Sequence, residues 1–193
     1  MSTHFKQDDI ESHKSGPPCA CGENNDKISG TLRRSFESVL DESSNVYKLF
    51  YSFTKKLSKF FSITRAVLVV QSRRDACLKV VAVRAKKSVR EGLTLTLPRK
   101  DSLLYRVFEE GIIYVENYPG GFDGNFIEKK LLLEKDVNSL VVVPITFGQT
   151  GRGLLCFTSP ILYAFGMFEE GHLEGVIEEF GLALEGRLQT LNI

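Results

Sequence analysis

The sequence predicts an α+β fold in which a sheet is covered by helices on both faces. The first observation is a strand pair within Ser139–Ser159, folded about the turn Phe147–Gly153. Its arms consist of β-branched or bulky residues bounded by Gly and Ser, which indicates a hairpin. Because these apolar residues are consecutive and do not alternate with polar ones, both faces of the pair are expected to be buried. The second observation is helical periodicity of apolar residues near both ends of the chain, over residues 28–61 and 169–191.

Length and composition favour one globular domain that stays in the cytoplasm. The chain has 193 residues, 42% of them hydrophobic and 25% charged, with a formal net charge of +1. This balance gives no bulk electrostatic field that would direct the protein to nucleic acid or to a membrane. No apolar run approaches the roughly 20 residues of a membrane span. The first ten residues lack the apolar core of a secretory signal, so a cytoplasmic location is predicted.

Residues 1–27 are predicted to be a disordered tail, and residues 28–193 the single domain. The tail has almost no periodic apolar residues. Cys19 and Cys21, with His4 and His13, are an alternative set of zinc ligands in this segment. One residue separates the two cysteines, whereas zinc knuckles usually have two, so the plain tail is favoured and no metal site is predicted.

Long helices are predicted at both ends of the domain. Residues 28–61 contain two helical stripes interrupted by the polar group Asp41–Asn45, and Ser44 or Asn45 is the expected N-cap of the second helix. Residues 169–191 are expected to form one long C-terminal helix whose apolar stripe lies on another helix. The phenylalanine-rich stripe of 28–61 is typical of a core or a dimer interface, so a homodimer through the terminal helices is expected.

The middle of the chain alternates short strands and helices. A strand pair with a turn at Ser72–Ala76 comes first, and the expected helices begin at Asp101 or Ser102, with an end at Gly111, and at Phe126. The expected elements are strands 66–71, 78–85, 93–97 and 112–115, helix 102–111, a turn-rich segment 116–125 and helix 126–135.

Basic residues and cysteines in these strands are interpreted as structural. Seven basic residues lie between Arg73 and Arg90, against the single acid Asp75. No aromatic residues are interleaved for base stacking, so a solvated hairpin is favoured over a nucleic-acid surface. Cys77 and Cys156 are expected to be small buried hydrophobes.

Three segments resemble the GAF domain family. Ser102–Asn117 resembles the family's helix, glycine and following strand, Ser139–Ile145 its strand ending in Val-Pro and an apolar residue, and Gly151–Phe157 the next strand. The resemblance covers the chain from about residue 30 to its end. It implies a profilin-like antiparallel sheet of about five or six strands with helices on both faces and the terminal helices packed together. It also implies a small-molecule pocket between the sheet and the segment Glu116–Val137.

Eight residues are predicted to form that pocket. Its irregular backbone and its rings suit the segment to holding a small molecule. The predicted lining or lid comprises Tyr118, Phe122, Asp123, Asn125 and Phe126, and the predicted floor comprises Val141, Val143 and Phe157. The alternative is that the segment merely plugs the sheet.

The function predicted from the resemblance is that of a non-enzymatic sensor or regulatory module. It would bind a small ligand, dimerise, or both, and signal through a separate protein, with no catalytic residue and no particular cofactor assigned. One alternative is a thiol-dependent enzyme of the free methionine sulfoxide reductase type. Such members rely on cysteines in the pocket segment, and Glu116–Asn138 contains none. Another alternative is a pure dimerisation scaffold with a filled core.

Overall fold

The computed structural model describes residue 36 and residues 44–85, 88–133, 135–169 and 171–188. The predicted tail, its candidate zinc ligands and the predicted first helix lie outside these residues, apart from Phe36. Among the described residues, no helix combines the length and apolar character that a membrane span requires.

Six strands form one open antiparallel sheet, as the sequence predicts. The strands are β1 Arg65–Gln71, β2 Leu78–Ala85, β3 Ser88–Thr96, β4 Tyr114–Asn117, β5 Ser139–Phe147 and β6 Gly151–Ser159. Their order is β3-β2-β1-β6-β5-β4, so the predicted hairpin β5–β6 and the strand β1 lie in the interior of the sheet.

Helices cover both faces of this sheet and enclose two apolar cores. The described helices are α1 Val46–Phe61, α2 Leu103–Glu110, α3 Phe126–Leu132, α4 Gly166–Glu169 and α5 Glu174–Leu188, with a 3₁₀ turn at Pro119–Gly121. One core packs helices α1 and α5 on the sheet, and the other packs α2 and α3 on the opposite face. The two described terminal helices, α1 and α5, therefore lie on the same face.

Strand β5 alternates strictly between the two cores. Val141, Val143 and Ile145 belong to the core beneath α1 and α5. Leu140 and Val142 belong to the core beneath α2 and α3. Since successive side chains of a strand point to opposite faces, a consecutive apolar sequence serves both cores at once.

The predicted helix boundaries at α1 and α2 are confirmed by their caps. Asn45 Oδ1 accepts a hydrogen bond from Lys48 N at 2.9 Å, and Ser102 Oγ accepts one from Tyr105 N at 3.0 Å. Each bond satisfies a backbone N–H that has no partner within the helix. Gly111 ends α2, and its N–H donates to the backbone oxygen of Val107 at 2.9 Å.

The prediction of one helix over 169–191 is wrong. A short helix, α4, ends at Glu169, and α5 begins only at Glu174. Gly171 lies between them with φ of +75°, in the left-handed region that interrupts a right-handed helix. Residues 189–193 lie outside the described part of the chain.

Several further predicted boundaries differ from the structure. Strand β3 starts at Ser88 and not at Leu93, and β4 spans Tyr114–Asn117 in place of 112–115. Helix α3 ends at Leu132, before the predicted end at 135. These are end effects, since the order of the elements agrees with the prediction.

Candidate functional site

The predicted pocket segment includes α3 and lies on the same face of the sheet as α2. Phe122 is buried in that core, whereas Tyr118 and Phe126 are 62% and 72% exposed. Asp123 is also exposed, and it pairs with Arg106 at 2.7 Å. That carboxylate raises the pKa of the Arg106 guanidinium by accepting its hydrogen bond. Asn125 caps α3 through hydrogen bonds from the backbone N–H groups of residues 127 and 128.

The predicted floor residues lie on the other face of the sheet. Val141, Val143 and Phe157 are buried in the core beneath α1 and α5. A floor on that face cannot lie under a segment on the opposite face, so the eight predicted residues do not form one site. The strand residues that share the core with Phe122 include Val142 and Cys156. Each of them is one position away from a predicted floor residue, and successive residues of a strand face opposite sides of the sheet.

A buried carboxylate fixes the predicted pocket segment to the start of α2. Glu128 of α3 is 0% exposed. Its side chain accepts hydrogen bonds from the backbone N–H groups of Leu103 at 3.0 Å, Leu104 at 3.2 Å and Asn125 at 3.3 Å, and from the hydroxyl of Ser102. These donors include N–H groups in the first turn of α2, where the helix dipole favours negative charge. The polar groups of Asn125 and Glu128 are therefore engaged within the fold.

Strand β4 covers only part of the edge of β5. It pairs with residues 139–142, while β5 continues to Phe147 and pairs over its whole length with β6. On the side of β5 away from β6, residues 143–147 therefore have no neighbouring strand within the part of the chain that the structure describes. Pro144 lies at this edge, where a missing N–H interrupts no ladder of hydrogen bonds.

A groove of about 660 Å³ lies along this uncovered part of β5. We call it the edge groove. The end of α2 and Gly111–Ile113 form one wall, and Phe168 with the first two turns of α5 forms the other. The edge groove is lined by Phe108, Gly111, Ile112, Ile113, Val143, Pro144, Ile145, Thr146, Arg152, Gly153, Phe168, Gly171, Leu173, Glu174, Ile177 and Glu178. Of the eight residues predicted from sequence, Val143 alone lines this groove.

Charged side chains of opposite sign lie around the apolar lining of the edge groove. Arg152 donates a hydrogen bond to the backbone oxygen of Phe108, and its guanidinium carbon lies 4.3 Å from the centroid of that ring. Glu174 and Glu178 are exposed on α5. Within the described residues, neither glutamate forms an ion pair with a cation. The volume and the mostly apolar lining suit a small organic molecule.

The described cysteines differ in exposure. Cys156 is 0% exposed, and burial in the core together with the charge of Glu128 raises the pKa of its thiol. Such a thiol carries little thiolate, the form that reacts. Cys77 lies just before β2 and is half-buried, so it departs from the predicted burial. Cys19 and Cys21 lie outside the described residues.

No metal site is found among the described residues. These residues contain no group of three or more His, Cys, Asp and Glu side chains that is arranged to hold a metal ion.

Of the described basic residues between Arg73 and Arg90, one is buried against α1 and does not lie on the surface. Arg84 is only 8% exposed and donates hydrogen bonds to the backbone oxygen of Thr54 and the hydroxyl of Ser58 on α1. Burial lowers the pKa of its guanidinium. Lys79 pairs with Asp75 at 3.0 Å. Arg84 therefore ties the sheet to α1 and does not contribute to an exposed patch.

Similar folds occur in solved structures, although no protein-family model and no curated protein matches the sequence. The GAF domain of a two-component sensor histidine kinase from Bacillus halodurans is 18% identical, with a TM-score of 0.62, over 78% of this chain and 100% of that one. A GAF domain from an Acinetobacter phosphoenolpyruvate-protein phosphotransferase is 14% identical, with a TM-score of 0.63, over 86% and 98%. Free methionine-R-sulfoxide reductase from Neisseria meningitidis, solved with its substrate, is 14% identical, with a TM-score of 0.64, over 92% and 97%.

The chain therefore has the fold of GAF domains, and the predicted fold is confirmed. At these identities the likeness extends to the fold alone. Sensor domains and reductases both occur among the similar structures, so this fold is shared by proteins with different activities.

Proposed function

We propose that this chain is a non-enzymatic GAF-type regulatory module that binds a small ligand in the edge groove and signals to a separate protein through its terminal helices. The observation that carries the proposal is that α5 lines the edge groove and also packs on α1. Glu174 and Ile177 of α5 contribute to the groove. Phe180, one turn further along α5, packs on Phe53 of α1.

In this arrangement, a ligand in the edge groove contacts the same helix, α5, that packs on α1. A ligand between Ile112 and Ile177 contacts α5 and the segment that follows α2, and it favours the spacing of the two that fits it best. A change in the position of α5 alters its contact with Phe53 without passing through the sheet. The ligand shifts this packing only as far as its affinities for the two arrangements differ.

The proposed output surface lies on α1, through which two copies would pair. Tyr51 and Phe60 are 40% and 54% exposed on this helix. Aromatic residues of this kind are enriched in protein interfaces. Coupling of the ligand to this surface would let a separate signalling protein detect ligand binding.

Native mass spectrometry of protein purified from its own host tests the proposal. We expect a small molecule to be retained by the wild type and lost from Ile112→Trp, which fills the edge groove from an exposed position. Ile161→Trp is the matched control, since Ile161 is also exposed but does not line the groove. Absence of both a ligand and a dimer in the wild type, or equal retention of the ligand by Ile112→Trp, would contradict the proposal.

A thiol-dependent reductase is the second candidate, because a free methionine-R-sulfoxide reductase is among the similar structures. Cys77 is the more accessible of the described cysteines, and Cys156 is enclosed in the core. Turnover of free methionine sulfoxide with a thiol reductant distinguishes the candidates. Activity that disappears in Cys77→Ser or in the double variant Cys19→Ser/Cys21→Ser would favour the enzyme over the sensor.

A further inference from the structure

The charges of the chain are segregated between two parts of the fold, although its formal net charge is only +1. Residues 46–90, which include α1, β1 and β2, contain twelve basic residues and one acidic residue. Residues 91–193 contain eight basic residues and fifteen acidic ones. A surface with an excess of one charge attracts a surface with the opposite excess, and a second copy of this chain supplies such a surface.

The exposed side of α1 is basic. Lys48, Lys55 and Lys59 are exposed, and their spacings of seven and four residues place them on one side of the helix. None of these lysines forms an ion pair with a described residue. Residues 46–61 contain no acidic residue. This side of α1 is therefore a stripe of positive charge that has no counter-charge in the described part of the chain.

Helix α5 carries the opposite charge at the reversed spacing. Glu174 and Glu178 are exposed and Glu185 is half-buried, and none of them forms an ion pair with a described residue. They are separated by four and then seven residues, whereas the lysines of α1 are separated by seven and then four. Two helices that run in opposite directions can therefore place each lysine opposite a glutamate.

The packing within one chain shows that α1 and α5 do run in opposite directions. Phe53 packs on Phe180 of α5, with ring centroids 4.3 Å apart. Phe61, at the end of α1, packs on Phe168, which precedes α5, with centroids 5.3 Å apart. Phe53 and Phe180 thus lie at the same level along the two helices. Each residue further along α1 corresponds to one residue back along α5.

A two-fold axis parallel to these helices would keep the levels unchanged and place α1 of one copy on α5 of the other. Counting from Phe53 and Phe180, each exposed lysine is then level with a glutamate, namely Lys48 with Glu185, Lys55 with Glu178 and Lys59 with Glu174. The same count brings Tyr51 level with Leu182, and these apolar side chains are 40% and 68% exposed. Charge and apolar surface therefore match in one register.

We propose that two copies of this chain pair through α1 of each copy and α5 of the other, in this antiparallel register. The partner of the lysine stripe is thus the acidic side of a second copy. This inference rests on the proposed function, because it names the surface that meets α1 in the dimer. Glu174 and Glu178 also line the edge groove, so the second copy places its lysines beside the ligand site.

Analytical ultracentrifugation of the full chain tests this pairing. We expect a wild-type dimer whose dissociation constant rises with salt concentration, because salt screens exposed charges. Lys55→Glu/Lys59→Glu and Glu174→Lys/Glu178→Lys should each weaken self-association at least about tenfold, since like charges then face each other. Wild-type affinity in either variant overturns the inference.

An equimolar mixture of the two charge-reversed chains separates lost pairing from lost folding. In the heterodimer, one contact has both charges reversed and the other has the wild-type charges, so we expect an affinity close to that of the wild type. The control Lys129→Glu/Lys130→Glu reverses exposed charges of α3, on the opposite face of the sheet, and should leave the dimer unchanged. A mixture that stays monomeric overturns the inference.

Single reversals test the register. Lys48→Glu should weaken the dimer, and mixing with Glu185→Lys should restore it. Mixing with Glu174→Lys should not restore it, because Glu174 lies at the other end of α5. Recovery with Glu174→Lys and not with Glu185→Lys would indicate parallel helices and overturn the proposed register.

This inference and the proposed ligand site fail in different ways. A monomeric wild type overturns the pairing, and binding of that monomer to anionic lipid vesicles or DNA, lost in Lys55→Glu/Lys59→Glu, would assign the lysine stripe to another partner. Loss of the copurified ligand from Ile112→Trp would still support the edge groove in that case. If Ile112→Trp retains the ligand while the charge-reversed mixture forms the dimer, the pairing is correct and the ligand site is wrong.

Discussion

The ring of Phe53 on α1 packs on the ring of Phe180 on α5, with centroids 4.3 Å apart. Both side chains are 0% exposed, and Phe36 adds a third ring at 5.1 Å from Phe53. This contact joins the two described terminal helices on one face of the sheet. It lies one helical turn from Ile177, which lines the edge groove. A displacement of α5 would therefore change the position of α1 through this contact.

Phe180→Ala should destabilise the protein strongly. Truncation of a fully buried phenylalanine typically costs about 3–5 kcal/mol, because the apolar contact is lost and a cavity remains. Urea denaturation measures the free energy of unfolding. Leu182→Ala on the same helix is the control, because Leu182 is 68% exposed and its truncation should cost less than about 0.5 kcal/mol. Equal losses in the two variants would show that α5 is not packed as described.

Two glycines of α5 should respond in opposite directions to alanine. A Cβ at Gly181 would lie 2.1 Å from the backbone oxygen of Thr146, so Gly181→Ala has to push α5 away from β5. A Cβ at Gly175 meets nothing within 4 Å, so Gly175→Ala should gain up to about 1 kcal/mol of helix stability. Thermal melting of the pair checks the prediction, and a stabilised Gly181→Ala would exclude the close approach of α5 to Thr146.

Glu128→Gln should weaken the link between α2 and α3. The carboxylate accepts hydrogen bonds from the N–H groups of Leu103, Leu104 and Asn125 with two oxygens, whereas an amide has one oxygen and brings two donors into a buried site. We expect a loss of about 1–3 kcal/mol in urea denaturation. Glu109→Gln removes an exposed carboxylate paired with Arg99 and should cost at most about 1 kcal/mol. A neutral Glu128→Gln would contradict the buried network.

The thiol of Cys156 should be unreactive in the folded protein. In a variant with Cys19, Cys21 and Cys77 changed to serine, Ellman's reagent should react only after unfolding in urea. A variant that keeps Cys77 alone is the control and should react when folded, since this residue is half-buried. Equal reaction of Cys156 in the folded and unfolded protein would contradict its burial.

The same thiol makes stability fall with rising pH. The pKa of Cys156 is raised above its ordinary value of 9.0 by burial, so above about pH 9 the unfolded chain releases the proton that the folded chain keeps. The stabilising contribution is complete below pH 9 and declines as the pH rises through this range. Tyr114 adds to the decline between pH 10 and 12, because burial and its hydrogen bond to Glu116 raise its pKa to about 12. Urea denaturation at pH 8 and pH 10.5 should show this loss, and Cys156→Ala should reduce it.

The order of elements was predictable from sequence because each element carries its own local signal. Asn45 and Ser102 mark helix starts by their caps, and the apolar run of β5 marks a buried strand. The face to which each residue of β5 points was not predictable in this way. Every residue from Leu140 to Val143 is apolar, so both sets of alternate residues look equally suited to a pocket floor. Assigning the floor to the wrong set moves it to the other face of the sheet, and hence to the other core.

The edge groove has one sequence signal that was missed. Pro144 interrupts an otherwise continuous apolar strand, and proline within a strand indicates an edge. The other determinants depend on tertiary structure. Three of them can be seen only in the packed fold. They are the shortness of β4, the break at Gly171 before the start of α5, and the approach of Arg152 to Phe108. Glu128 likewise looks like an ordinary helix residue until its partners on α2 are known.

Hydrogen–deuterium exchange, measured with and without the copurified ligand, tests whether the ligand lies in the edge groove and affects α1. We expect slower exchange on ligand binding in three segments, namely residues 143–147 of β5, residues 174–181 of α5 and the part of α1 around Phe53. We expect no change in residues 116–133. Protection confined to residues 116–133, with α5 and α1 unchanged, would contradict a ligand site in the edge groove and return the site to the segment on the opposite face.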